Sequence, residues 1–183
     1  MKKDTIIQFV GFETNLGLDE FIIQWEQYAK NFSSKNVEVT LHHQAGTKNR
    51  FAYISQHVWP ETDFQFTFMK GRHSNHFPES HVKVIQAGGY APLQIECIHD
   101  TDTDDVKLML FINKAETDIS VFKALKPYRC LNIYEAYYES SLYTYILEFF
   151  VEETQAPELI KQIQLHIVNP QIGTYKECLV LNE

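Results

Sequence analysis

Thr5 to Phe12 is rich in Ile, Val and Phe and reads as a first strand, closed by a turn at Asn15-Leu16-Gly17. From Leu18 the apolar residues recur as Leu18, Phe21, Ile22, Trp25, Ala29 and Phe32, the three-and-four spacing of one helical face. Asp19 and Glu20 sit where the positive end of that helix favours them. Trp25 and Tyr28 on the same helix are read as core packing, not as a ligand platform. Val37 to His43 then alternates Val37, Val39 and Leu41 against Glu38, Thr40 and His42, which predicts a strand with one buried face. Gly46 to Asn49 breaks it, Phe51 to Trp59 resumes extended character, and Pro60 ends that stretch. Phe64-Gln65-Phe66-Thr67-Phe68 has strict period-two alternation and predicts a further strand covering a large apolar surface. Pro78 opens and Gly88-Gly89 closes a short helix over 82–87, and Tyr90 to Ile98 reads as a strand with Pro92 near a sheet edge.

The run from His99 to Asp105 has no apolar residue and four acids, so 100–105 is taken as a solvated linker between two units, 1–99 and 106–183. It lacks the glycine turn and distal glutamate of a calcium-binding hand loop. Beyond it, Val106 to Ile112 predicts a strand, Asp118 to Lys126 a short helix, and Leu131 to Tyr138 and Leu142 to Val151 two strands. Pro157 opens a helix with Leu159, Ile160, Ile163 and Ile167 on one stripe, and Tyr175 to Leu181 is the last strand. The second unit thus runs strand, helix, strand, strand, helix, strand, and the first repeats that order with one extra strand.

Composition narrows the function classes. Apolar residues are 44% and aromatics 14% of the 183 residues, so a substantial core is expected and disorder is not. A net charge of -8 and the lack of any basic run exclude a nucleic-acid binder and disfavour anionic membranes. No apolar stretch nears the roughly 18 residues of a membrane helix, and no export signal is expected from Met1-Lys2-Lys3. Cys97, Cys130 and Cys178 are odd in number and far apart, which reads as reduced thiols in a cytosolic protein.

The element order resembles the ferredoxin-like fold. The opening Ile6-Ile7-Gln8-Phe9-Val10-Gly11-Phe12, followed by a Trp-bearing helix, resembles the dimeric α/β-barrel superfamily, which includes antibiotic-biosynthesis monooxygenases, haem-degrading enzymes and chlorite-dismutase-like proteins. The resemblance implies an α+β fold of tandem ferredoxin-like units with antiparallel sheets. A sheet with helices on one face leaves its other face bare, so two units must cover each other or pair with a second chain, and a homodimer is expected.

Six of the eight histidines, His42, His43, His57, His73, His76 and His81, fall between positions 42 and 81. None has a strong metal spacing such as His-Glu-x-x-His, so no metal site is assigned. The resemblance implies haem as the cofactor to test, since related barrels hold it with a helix histidine. His81 is then the first axial candidate and His76 the next, and otherwise no cofactor is expected. Tyr53, Gln56, His57, Trp59, Arg72 and His73 form a second constellation, with Arg72 able to pair with a carboxylate and Trp59 to stack on a small aromatic molecule. The expected function is binding of a small hydrophobic or aromatic molecule between the sheets. The rivals are a cofactor-independent monooxygenase, a haem-dependent enzyme, and a structural or protein-interaction module.

Overall fold

Alternation with bulky groups on both faces makes these strands candidates for burial on both sides, and a sheet buried on both sides must be covered twice. The computed structural model shows how. It describes residues 5–30, 37–69, 77, 81–97, 105–113 and 117–181, without the side chains of 66–69 and 86. Along the chain come β1 (Thr5–Glu13), α1 (Leu18–Ala29), β2 (Glu38–Gln44), β3 (Tyr53–Pro60), α2 (Glu61–Met69) and β4 (Lys83–Gln94). Then follow β5 (Asp105–Ile112), α3 (Ser120–Lys123), β6 (Cys130–Ala136), β7 (Tyr145–Glu152), α4 (Ala156–His166) and β8 (Gln171–Leu181). The strands close into one antiparallel barrel in the order β1-β3-β2-β8-β5-β7-β6-β4. The ladders β2–β8 and β4–β6 are the two seams between the halves of the chain.

Parity decides where each side chain goes. In the first half Ile6, Val10 and Phe12 of β1, Val39 and Leu41 of β2, and Tyr53 and Trp59 of β3 pack outward against Phe21, Trp25 and Tyr28 of α1 and Phe64 of α2. In the second half Leu108 and Leu110, Leu131 and Ile133, and Leu147 and Phe149 face Phe122 of α3 and Leu159 and Ile163 of α4. The alternate residues point into the lumen, where Ile7, Phe9, Ile54, Tyr90, Met109, Phe111, Tyr134, Ile146 and Tyr175 meet across the barrel. Burying one such side chain contributes roughly 1.5–3 kcal/mol, so both faces reward closure. The bare underside expected of each sheet is therefore covered by the other half of the same chain.

Four expectations are corrected. Phe64–Phe68 lies in helix α2, not in a strand. Pro60 ends β3, Glu61 and Asp63 occupy the first helical turn, and the Gln65 amide donates to Glu61 Oε1 at 3.2 Å, so local helix chemistry prevails over the alternation. The span 82–87 is not a helix: Lys83 to Gln94 is a single strand laddered to β1. Gly88, at φ +118°, is accordingly no helix stop; it sits opposite Phe9 where the register shifts, the geometry of a bulge. Pro92 lies next to another register shift, in the β4–β6 ladder, where a missing amide hydrogen is tolerated.

Third, Asp105 is not solvated linker but the buried first residue of β5, its carboxylate 3.4 Å from Arg129 Nη1; residues 100–104 lie outside the described ones. Finally, Cys97 and Cys130 are joined in a disulfide rather than reduced. Their separation in sequence hid a neighbourhood created by the β4–β6 seam, which leaves the Cα atoms 6.1 Å apart. Cys178 remains free. Among the described residues no helix is long and apolar enough to cross a membrane.

Candidate functional site

The lumen has an apolar half and a polar one. Towards one end aromatic edges interlock: Phe9 meets Tyr90 and Tyr134 edge-on at 5.5 and 5.3 Å, and Phe111 lies 5.0 Å from Tyr143. Beyond them six polar side chains from five strands converge: His42 on β2, Gln56 on β3, Lys107 on β5, Asn132 and Tyr134 on β6, and Glu148 on β7. All are buried, with Lys107 only 2% and Glu148 1% exposed.

Their hydrogen bonds form one connected path. Lys107 Nζ donates to His42 Nε2 at 2.7 Å and to Gln56 Oε1 at 3.1 Å. An ammonium has donors only, so His42 accepts through Nε2 and is neutral in this arrangement, with its proton on Nδ1. The Gln56 amide then turns its nitrogen to Glu148 Oε1, bridging cation and carboxylate. Glu148 Oε2 accepts from Tyr134 Oη at 2.8 Å and from Asn132 Nδ2 at 3.2 Å. The Lys107 and Glu148 charges stand 3.9 Å apart. Burial first, and the Glu148 charge second, hold the Tyr134 hydroxyl well above the usual phenol range, so it stays a donor.

Two opposite charges taken out of water cost several kcal/mol each before their attraction repays it. A buried ion pair on which polar side chains from five strands converge inside a barrel marks a functional-site candidate. Chemically the set offers an ammonium, a carboxylate, a neutral imidazole and a phenol, able to hold an acceptor group and to exchange a proton with it. At the same barrel end Arg129 bridges Asp105 and Glu152, at 3.4 and 3.2 Å, beside a cleft of about 380 Å³ lined by Arg129, Glu152, Glu153 and Thr154.

The residues singled out from the sequence fall elsewhere. Tyr53 lies on the helix-covered side of β3, stacked on Phe21 at 3.8 Å with its hydroxyl donating to Leu16 O. His57, on the same face, bonds Ser55 Oγ through Nε2 at 2.8 Å, and Trp59 donates to Gln8 Oε1 at 3.0 Å. These three are brought onto one face, fully packed against α1 and α2. Gln56 points the opposite way, into the lumen network. Arg72, His73 and His76 lie outside the described residues, and His81 is an exposed turn residue ahead of β4. The sequence reading missed Lys107, Glu148, Asn132 and Tyr134. A signal was present: Lys107 and Glu148 each interrupt an otherwise apolar strand, Val-Lys-Leu-Met-Leu and Ile-Leu-Glu-Phe-Phe, where no solvated face exists.

No family model matches the sequence, and no curated protein matches it. Solved structures do match the fold. A tryptophan-to-phenylalanine variant of chlorite dismutase from Candidatus Nitrospira defluvii, in complex with cyanide, aligns with a TM-score of 0.57 at 12% identity, over 96% of this chain and 92% of that one. The same enzyme in complex with imidazole gives 0.55 at 12% identity over the same shares. A monooxygenase candidate from Fusobacterium nucleatum aligns at 0.50 and 10% identity, over 100% of this chain and 96% of that one. At these identities the likeness is one of fold alone: the chain shares the α+β barrel architecture of those proteins.

That resemblance brought haem with it, and the described residues do not fit the group. In the second half, Leu108, Leu110, Phe122, Leu131, Leu147, Phe149, Leu159 and Ile163 fill the layer between sheet and helices, all 0% exposed. Among the described histidines His42 and His57 are committed to Lys107 and Ser55, His43 is paired opposite Lys176 in the β2–β8 ladder, His81 faces solvent, and His166 is exposed at the end of α4 with its ring edge-on to Phe122. No step is derived through haem.

Proposed function

We propose that the chain is a tandem ferredoxin-like protein, with units over 1–99 and 106–183, that binds a small hydrophobic or aromatic molecule bearing an acidic or carbonyl oxygen between its sheets. The strand orders β4-β1-β3-β2 and β8-β5-β7-β6 support the two-unit reading, since each half runs through its strands in the same sequence of positions. One observation carries the binding reading: the ammonium of Lys107 is buried in the lumen on replaceable neutral acceptors, His42 and Gln56, and stands 3.9 Å from its counter-charge. A ligand oxygen taking the place of the Gln56 carbonyl would gain a charge-assisted bond, while the aromatic half of the lumen receives the apolar body.

Benzoate, salicylate and indole-3-acetate are suitable probes. A ligand at 100 times its Kd stabilises the fold by about 2.7 kcal/mol, a readable rise in thermal midpoint. At least one acid should raise the midpoint of the wild type and leave Lys107→Met unmoved. No shift with any of them, or the same shift in both proteins, favours the structural-module reading instead.

A second reading, oxygenation without a cofactor, is supported by the fold shared with the Fusobacterium protein and by a carboxylate and imidazole placed beside the aromatic wall. Oxygen uptake on adding a bound aromatic acid, abolished in Glu148→Gln, would support it. A homodimer is no longer required to cover the sheets, and any such assembly would use an outer face; light scattering against the 21.4 kDa chain mass decides it.

A further inference from the structure

Past Gln94 the chain leaves the ladder and lies against Asn132 and Cys130 of β6, beside the polar network. Asn132 fastens this strap, residues 95–97, with its whole amide. Its Oδ1 accepts from the amides of Glu96 at 2.9 Å and Cys97 at 3.2 Å, and its Nδ2 donates both to Cys97 O at 2.7 Å and to Glu148 Oε2. The Glu96 carboxylate accepts from the Leu131 amide at 2.8 Å. The disulfide to Cys130 is the covalent fastening.

Register locates that disulfide against the site. Cys130 stands opposite Phe150 and Asn132 opposite Glu148, and direct partners share a face. The disulfide thus lies one pair of residues nearer the barrel end than the Asn132–Glu148 contact, and the Phe150 ring is 5.2 Å from Lys107 Nζ. In the strap itself Glu96 is exposed, Cys97 is half-buried, and Ile95, also half-buried, is the one apolar side chain packed on the lumen cluster.

We infer that the Cys97–Cys130 disulfide is a redox latch: reduction frees the strap and opens the lumen to the Lys107–Glu148 pair. The reductant is a thiol or dithiol. The S–S bond breaks, each cysteine sulfur takes up a proton, and two reductant thiols are joined in their own disulfide. Once the bond is cut, the hydrogen bonds of Asn132 and Glu96 and the single apolar contact of Ile95 hold the strap, and so few local contacts open without global unfolding. The inference deepens the binding reading by stating when ligand enters, yet its test needs no ligand.

The test is acetylation of Lys107 by N-hydroxysuccinimidyl acetate, followed by peptide mass spectrometry, in the oxidised protein, the dithiothreitol-reduced protein and the Cys97→Ser/Cys130→Ser double variant. Reduction should raise the Lys107 rate by about tenfold or more, as expected for a local opening, and leave the exposed Lys83 unchanged. The double variant should react at the reduced rate in either condition. Lys107 staying unreactive while both thiols are alkylated overturns the latch. So does loss of near-ultraviolet dichroism on reduction, because the disulfide is then a staple of the whole fold. If Lys107 opens on reduction but benzoate still fails to bind, the latch stands and the binding reading falls.

Discussion

Lys107 and Glu148 illustrate how unequal the two ways of losing an ion pair are. Removing one partner leaves an uncompensated buried charge, and Lys107→Met should cost about 3–5 kcal/mol. Glu148→Gln should cost at least as much. Gln56, Tyr134 and Asn132 all donate to this carboxylate, and an amide in its place turns a donor towards at least one of them. Lys107→Met/Glu148→Met removes both charges and should be more stable than either single variant. Urea titrations of the four proteins check this, and single variants within about 0.5 kcal/mol of wild type would show that the pair behaves like a surface one. His43 makes a separate, pH-dependent contribution. Burial and then the nearby Lys176 ammonium hold its imidazole below the ordinary histidine range. The unfolded chain therefore takes up a proton that the native state refuses, and stability must fall as pH drops below about 6.5. His43→Gln should flatten the decline in urea midpoint between about pH 7.5 and 5.5.

At the scale of elements, α2 and β4 were misread for related reasons. Phe64-Gln65-Phe66-Thr67-Phe68 alternates like a strand yet is short enough to be little more than one helical turn, and Gly88-Gly89 suits a helix stop as well as a bulge. Tertiary contact decides both. Phe64 lies over Gly89, and a Cβ added there would run into the Phe64 ring and stand 3.0 Å from Ile6 Cγ2. Gly89→Ala should accordingly destabilise by about 1–3 kcal/mol, and Phe64→Leu should recover part of that in the double variant. If Gly89→Ala were neutral in thermal melts, α2 would not be docked on this strand. Elements with a single strong period, β1, α1, β2 and α4, were legible because helix or strand was the only way to bury Trp25 or Ile163. The lumen site was not, because its six side chains become neighbours only when the barrel closes and brings residues as far apart as Gln56 and Glu148 together across the lumen. Sequence spacing carries no trace of such a meeting.

For the whole molecule, the expected demand that each sheet find a partner was correct in kind, and the chain satisfies it internally. Whether the halves are two bodies or one follows from the seams. β2–β8 runs from Val39↔Leu181 to Gln44↔Tyr175, and β4–β6 is reinforced by the Cys97–Cys130 bond. If one half unfolded alone it would expose the lumen faces of the other, Tyr90 and Phe9 losing Tyr134, and Met109 and Phe111 losing Ile54 and Phe51. At about 25 cal/mol per Å² of apolar surface, that exposure disfavours a half-folded state strongly. Both tryptophans, Trp25 and Trp59, belong to the first half, whereas backbone dichroism reports on the strands of both halves. Under non-reducing conditions the tryptophan fluorescence and far-ultraviolet transitions in urea should therefore superimpose, with one midpoint and one slope. Transitions separated by more than about 0.5 M would mean that the seams are weaker than the helix-covered cores, and that the lumen opens by parting the halves instead of lifting the strap.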